Sequence, residues 1–562
     1  MRSFRLTMFC IAAGWAIPVL AQVPFPTTPG WISTDLPDYS TGAAWADINR
    51  DGWLDLVIAN GNDMGREHVK VYYNDAGNLM TVAGWQSDDV DYHGHVSVGD
   101  VNGDGFPDVA VSVYLGPARF SQRGYVKLYK NIQGILEVLP SWRSKDSMYT
   151  FSCAFGDANG DGRPDLAVAC GESYNNKAEQ NRIYYNQTGL LDSLPSWKSA
   201  SPGYSYDVTW ADFDRDGRLD LAFAKEKGPN CLYRGYGDSV GTVPIWTSSD
   251  SPEYANSLFA GDVNNDLYPD LAVSDNNQLG GSGRFKIYRN SAGTLEALPF
   301  WTSNFSGYGS GITLADVTGD GNSDLITGAW WQPCRIYVNQ GGTFTKDPQW
   351  TSSPSSVVEA IVVADVARVG LDTLVSIFLG DAARKLFSVA RTPLQDVLTV
   401  RVKDEALPRT TFCYDRENAW VSLGTAPPAG DTVEVVALVS SHLDFAVSNW
   451  DANVGNYLYL NNGVSNAEGE EKPILHDFAL AQNFPNPFNP RTTIGYQLPA
   501  RAYVSLRVFT VLGQEIARLV EGVQEAGSKS VDFNASDLPS GVYLYRLEAG
   551  ESVAVKKLVL LK

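Results

Sequence analysis

Six stretches of the chain place oxygen-bearing side chains at alternate positions of a nine-residue loop. They are DINRDGWLD from Asp47, DVNGDGFPD from Asp100, DANGDGRPD from Asp157, DFDRDGRLD from Asp212, DVNNDLYPD from Asp262 and DVTGDGNSD from Asp316. Positions 1, 3, 5 and 9 carry the oxygens, and position 6 is usually glycine, which permits a sharp turn. Calcium takes roughly six to eight oxygens at about 2.3 to 2.6 Å, supplied by closely spaced side chains and a backbone carbonyl. The pattern predicts up to six Ca2+ sites. The first would use Asp47, Asn49, Asp51 and Asp55, with the Trp53 carbonyl. The second and third would use Asp100, Asn102, Asp104, Asp108 and Asp157, Asn159, Asp161, Asp165. Asp212, Asp214, Asp216 and Asp220 make a fourth set, with four carboxylates. Asp262, Asn264, Asp266, Asp270 and Asp316, Thr318, Asp320, Asp324 make the fifth and sixth.

A plain turn uses Asp, Asn and Gly for its backbone. It does not need three or four carboxylates that repel one another. Bound divalent ions relieve that repulsion and offset part of the formal net charge of −21. No soft ligand accompanies the loops, which disfavours zinc or copper. Loop five has Leu267 where glycine is expected, predicting a strained turn or a weaker site. A seventh copy, DVARVGLDT from Asp365, has Ala367 and Val369 at positions 3 and 5 and cannot bind metal through side chains.

The loops recur roughly every 50 residues, and other features keep the same beat. Trp-x-Ser occurs at Trp31, Trp85, Trp142, Trp197, Trp246, Trp301, Trp350 and, less regularly, Trp420. Each loop leads into a strand such as LAVAC or LITGA, then a second such as KVYYN, KLYKN, RIYYN or KIYRN; YLYLN from Tyr457 is a further echo. Four short strands in such a unit are the content of one propeller blade. A lone blade cannot bury both faces, so blades stack around an axis. The repeated Trp reads as packing between neighbouring sheets.

The DxNxDGxxDL loops and their AVA-type strands resemble the FG-GAP or VCBS repeats of integrin-α-like β-propellers, over roughly residues 30–463. The fold expected is all-β, a seven- or eight-bladed β-propeller followed by a small Ig-like β-sandwich. Seven blades are usual for the family. Here six clear units, a seventh with a decayed loop and a candidate eighth from Trp420 leave the number open. Residues 391–419 read as an insertion, and the Trp31 strand is expected to close the ring.

The start, MRSFRLTMFCIAAGWAIPVLAQ, has a basic end, a short apolar run and small residues before Ala21, the pattern of a secretory signal over residues 1–21. No later segment is apolar enough to span a bilayer. The negative charge excludes nucleic acid and anionic lipid as natural partners. Beyond the signal, Cys153, Cys170, Cys231, Cys334 and Cys413 are too sparse for a disulfide framework. Cys153 and Cys170 flank one hairpin; a bridge between them stays open, with buried thiols the simpler reading.

No Gly-x-Ser-x-Gly elbow, phosphate loop or HExxH occurs. His93-x-His95 lacks a third ligand nearby and reads as structural. Aspartates with the same job in every unit do not resemble an active site. The expectation is a non-enzymatic binding or adhesion module for glycan or extracellular protein, with a polysaccharide lyase or hydrolase on the propeller surface as the rival. Seven or eight residues after successive Trp residues stand Tyr39, Tyr92, Tyr149, Tyr204, Tyr254 and Tyr308, each just before a blade's first strand. They predict a ring at the channel mouth opposite the acidic loops, shared by Trp330, Trp331 and Trp450. Such a ring is either blade packing or an aromatic ligand platform.

After Asn462 the composition shifts to a polar, acidic linker, residues 464–477. Alternating runs in residues 478–562 predict a small β-sandwich. NFPNPFNPRT and SGVYLYRL in this segment resemble the type A C-terminal sorting domain of the type IX secretion system. The resemblance implies that machinery as a partner, and a secreted or surface-attached protein of a bacterium with an outer membrane.

Overall fold

The computed structural model describes residues 23–251, 253–462 and, apart from short breaks, 479–561. The signal segment and the linker named above lie outside the described residues. Short runs rich in Val, Leu, Ile and Ala, each ended by a tight turn, form antiparallel four-stranded sheets. Their innermost strands, Ser40–Ala46, Tyr92–Gly99, Thr150–Gly156, Ser205–Ala211, Ala255–Gly261, Gly309–Ala315 and Ser356–Ala364, succeed one another around an axis. Each pairs with a second strand across the acidic loop, as Ser40–Ala46 pairs with Asp55–Asn60. In the seventh sheet Ser356–Ala364 pairs with Asp444–Asn449, which pairs with Tyr457–Tyr459, which pairs with Trp31–Ile32. An N-terminal strand thus closes the ring, and the described residues form seven blades.

The sequence left room for an eighth blade at Trp420, and the structure places that residue elsewhere. Two small sheets interrupt blade seven within its acidic loop. One contains Leu371–Leu379, Leu394–Val402, Glu405–Ala406 and Thr432–Ser440; the other contains Leu386–Ser388, Phe412–Asp415 and Trp420–Leu423. They share a core that includes Phe387, Leu394, Val400, Phe412, Val421 and Val435. The insertion therefore extends well beyond 391–419 on both sides. Its strands alternate as blade strands do, which hid its boundaries. Trp420 faces blades three and four, packing with Leu386 and Cys413 against Trp210 and Leu219.

The repeated Trp does join neighbouring sheets. Each indole stands edge-on to the third-strand Tyr of the next blade: Trp31 to Tyr72 at 5.5 Å, Trp142 to Tyr184 at 5.7 Å, Trp350 to Tyr459 at 5.4 Å. Several indole N–H groups also donate across the seam, as Trp197 Nε1 does to the Val240 carbonyl at 2.8 Å. Such aromatic pairs add about 0.5–1.5 kcal/mol each beyond the area they bury. All five described cysteines are buried free thiols.

At the C-terminus a three-stranded sheet (Ala479–Leu480, Arg491–Leu498, Gly527–Asn534) faces a four-stranded one (Ala502–Thr510, Glu515–Gln524, Gly541–Ala549, Ser552–Leu560). Ile494, Leu506, Tyr545 and Leu558 are fully buried between them.

Candidate metal loops and an aromatic face

The six loops share one backbone. Positions 4 and 6 are left-handed throughout: Arg50 and Gly52 have φ of 57° and 93°, Arg215 and Gly217 57° and 83°, Gly319 and Gly321 75° and 87°. Two left-handed residues separated by one turn the backbone N–H groups inward. In every loop but the fourth the first aspartate takes two of them: Asp100 Oδ1 accepts from Asp104 N at 3.0 Å and Oδ2 from Gly105 N at 2.9 Å. Loop five keeps this turn with Leu267 at φ 74°, a left-handed leucine that costs about 1–2 kcal/mol.

The ninth aspartate has a different job from the other three. Asp108 is fully buried; its Oδ2 accepts from Val101 N at 3.0 Å, and its Oδ1 from Asn131 N at 2.7 Å. Asn131 then donates through Nδ2 to the Ile48 carbonyl of the preceding blade's loop at 2.8 Å. Asn74, Asn186, Asn290, Asn339 and Asn461 repeat this bond into Val366, Val101, Phe213, Val263 and Val317. The terminal Asn of KVYYN and its relatives was visible in the sequence, but its part as a clasp between loops was not read from it. In blade four, Gly235 replaces it, keeping only the bond from its N–H to Asp220.

The decayed seventh loop obeys the same plan. Its ninth position is not Thr373 but Asp444, beyond the insertion: Asp444 Oδ2 accepts from Val366 N and Oδ1 from Asn461 N. Asp365 keeps its first-position bonds to Val369 N and Gly370 N, and Ser440 Oγ adds a third at 2.7 Å.

Loop four best displays the chemistry of a cation site. Ligand atoms of Asp212, Asp214 and Asp216 all lie within 4.8 Å of one another. Asp212 Oδ1 and Asp216 Oδ1 are buried without a hydrogen-bond partner. Arg234 leans onto Asp214 and Asp216, and Arg218 lies 3.4 Å from Asp216, so two guanidiniums gather at these carboxylates. Burial, with neighbouring carboxylates adding to it, pushes Asp212 up to about 7, Asp220 to about 8 and Asp108 to about 7. A divalent ion would reverse that penalty. The hard oxygen set fits Ca2+. In loop six Thr318 turns its hydroxyl to Asp324 Oδ2 at 3.0 Å, leaving that loop one fewer free donor oxygen.

The inserted module lies across the first four loops. Ser422 Oγ donates to Asp157 Oδ2 at 2.7 Å, and Lys385 Nζ to the Gly160 carbonyl at 2.6 Å. Arg384 reaches the Arg215 carbonyl at 3.4 Å, Asp396 lies 3.5 Å from Arg50, and Arg409 lies 4.0 Å from Asp100. Arg368 donates to the Gly52 carbonyl at 2.9 Å and stands over Trp53.

At the opposite mouth the expected tyrosine ring separates into unlike parts. Tyr149 is buried with Tyr114, Phe151 and Tyr206, its hydroxyl donating to Phe120 O, and Tyr92 packs against that cluster. Tyr204 is half-buried under Lys227, and Tyr254 is half-buried with its backbone N–H held by Asp275. Around blades six, seven and one the aromatics meet. Tyr308 lies 5.6 Å from Trp331, Trp331 6.0 Å from Trp330, and Trp330 5.5 Å from Trp450. Tyr39, Trp331 and Trp450 line a groove with Met64, Val357 and Asp451. Asp324–Gln332 pairs here with Ser356–Ala364, Trp330 opposite Val357 and Gln332 opposite Ser356, with a register shift between them at Trp331. Trp331 is 56% exposed and left-handed at φ 55°, an unusual conformation for a bulky residue. Trp330 is buried and anchored by its indole N–H on Glu359 Oε2 at 2.6 Å.

Along the axis lie groups that no other blade repeats. Asp207 accepts from Ser152 Oγ, Ser257 Oγ and Leu258 N, with His95 Nδ1 3.5 Å away. Burial pulls His95 down, but Asp207 wins and holds it above the usual histidine range. Ser152 is bonded to the carboxylate and not to the imidazole, the reverse of an activated serine. His93, in contrast, is a fully buried histidine bonded to the Asn60 carbonyl.

The FG-GAP-like repeat family matches residues 47–111, 157–223 and 212–273, and the FG-GAP repeat family matches residues 94–129. The secretion system C-terminal sorting domain family matches residues 482–561. The solved structures similar to this chain include BBS1N in complex with ARL6DN, soaked with mercury and soaked with lead. Both are 11% identical at a TM-score of 0.38, covering 73% of this chain and 94% and 97% of theirs. No curated protein matches the chain. The tail indicates export by the type IX secretion system to the cell surface or the extracellular space. Among the described residues no helix is long and apolar enough to cross a membrane.

Proposed function

For a chain that carries FG-GAP repeats and a secretion-system sorting domain, we propose the role of an exported, calcium-braced binding module. Its ligand, a glycan or an extracellular protein, docks on the aromatic face of blades six, seven and one. The observation that carries this reading is Trp331, a large indole held out in solvent in a strained backbone conformation beside Trp450 and Tyr39. Packing alone would bury it. Exposed rings of this kind suit the faces of sugars and the apolar anchors of proteins. The acidic loops sit at the other mouth, where calcium would stiffen the blades and leave the aromatic face free. An array of glycans and extracellular-matrix proteins, probed with the exported chain, tests the proposal. Binding lost on Trp331→Ala with Trp450→Ala supports it; binding unchanged by that pair, or no binding at all, refutes it.

The rival enzyme reading has its own residues. Glu226 and Glu359 are buried, not repeated in other blades, and pushed up to about 7, first by burial. Glu359 also holds Trp330 and the Tyr206 hydroxyl. Reducing-sugar release from a polysaccharide by the wild type, lost in Glu226→Gln, would favour this rival.

A further inference from the structure

The inserted module does more than rest on the loops. Its turn after Phe412–Asp415 enters the propeller axis, where Arg416 Nη1 donates to the Trp45 carbonyl at 2.9 Å and Nε to the Gln395 carbonyl at 3.0 Å. Between this turn and the inner strands lies a chamber of about 230 Å³, which reaches the first two loops at Asp47, Arg50 and Asp100. This is larger than one buried water requires.

The residues lining it carry an unusual set of unmatched polar atoms. His95 Nε2, Gln395 Nε2, Arg416 Nη2 and Asn418 Oδ1 have no hydrogen-bond partner, and Arg409 Nε meets only the Asp100 carboxylate, at 4.0 Å. Gln395 is 5% exposed, so its free amide has little access to bulk water. Glu417 also lines the chamber, half-buried, with Asp415, Arg416 and Asp207 as its charged neighbours. Unmet buried groups cost about 1–3 kcal/mol each, and a native site that concentrates them implies an occupant.

Chemistry narrows the occupant. Six acidic residues line the chamber against four basic ones, so a free anion is disfavoured. A simple cation would satisfy Glu417 and leave the arginine and glutamine donors unmet. A hydroxyl both donates and accepts. We propose that this chamber, formed jointly by the propeller axis and the inserted module, binds one small polyhydroxylated molecule, a single sugar ring or a polyol. The site is separate from the aromatic face and belongs to a different mouth of the channel.

Calorimetric titration of the full exported chain with glucose, galactose, mannose, xylose and myo-inositol tests the proposal, with betaine and sulfate as charged controls. The expected result is saturable one-to-one binding of at least one of the five. Glu417→Gln and Asn418→Ala should each weaken it about tenfold or more, and Trp331→Ala should leave it unchanged. Binding of none of the five, binding of betaine or sulfate only, or a loss that follows Trp331→Ala would overturn it. If either chamber variant fails to fold, the wild-type titration and a crystal soaked in the five polyols still decide. Ordered water alone in the chamber contradicts the proposal, and a bound polyol supports it.

Discussion

Ser422 Oγ donates to Asp157 Oδ2 across 2.7 Å, tying the inserted module to the first position of the third acidic loop. Both residues are buried, and the bond crosses the seam between two separate cores. A hydrogen bond to a charged group contributes about 1.5–3 kcal/mol. Ser422→Ala should therefore destabilise the docked module by roughly that amount. Limited proteolysis between residues 365 and 443 should quicken, while the C-terminal sandwich stays resistant. Equal cleavage rates in variant and wild type would show that the bond does not hold the module down.

The clasp between loops predicts a second stability effect. Asn131→Ala removes the side chain that reaches the Ile48 carbonyl at 2.8 Å and receives Gly134 N at 2.9 Å. Leaving a buried carbonyl unmet costs about 1–3 kcal/mol. Urea unfolding should show a loss of that size. A matching Ala at Asn78, an exposed residue whose bonds are confined to its own turn, should cost less than about 0.5 kcal/mol.

Acidity should act on the metal-free chain in an unusual direction. The loop carboxylates Asp47, Asp108, Asp157, Asp212, Asp270 and Asp324 are raised from the ordinary value near 3.8 to about 6 or 7, and Asp220 to about 8, burial being the first cause. A group raised on folding binds its proton more tightly in the folded state. Its stabilising effect is present at low pH and is lost as pH rises through the folded value. With chelator present, stability should increase as pH falls from about 8 toward 5. The gain in melting temperature given by calcium should shrink over the same interval, because protons compete for the same oxygens. A chelated protein that melts at a lower temperature at pH 5 than at pH 8 would count against this.

Trp331 should be dispensable for folding. It is solvent-exposed and its backbone is left-handed, so Trp331→Gly relieves strain. Thermal melting should stay level or rise by a few degrees while ligand binding falls. A marked loss of stability would assign this indole to packing.

Much of this architecture was legible in the sequence because it is repeated. Asp100 to Asp108 and Trp142 sit at equivalent places in several blades, and a repeat exposes what a shared core requires. Apart from the recurring Asn clasp, whose partner lies in the preceding blade, the parts that were missed occur once. Asp444 completes the loop begun at Asp365 only after a long insertion, so no local spacing links them. Trp420-Val421-Ser422 copies the blade motif letter for letter, yet its strand pairs with Leu386–Ser388 and Phe412–Asp415 inside the inserted module. Tyr149 and Tyr308 share a sequence position but not an environment, since Tyr149 packs beside Phe151 and Tyr206 while Tyr308 meets two tryptophans. Burial of that kind depends on neighbouring blades, which spacing along one chain does not report.

Native mass spectrometry of the full exported chain in calcium tests most directly the claim that the acidic loops are metal sites. The account predicts up to six bound ions, with the seventh loop empty, and one ion fewer for the combined Asp212→Asn and Asp216→Asn variant. A chain that binds no calcium, or a variant that keeps the full wild-type number, would contradict it.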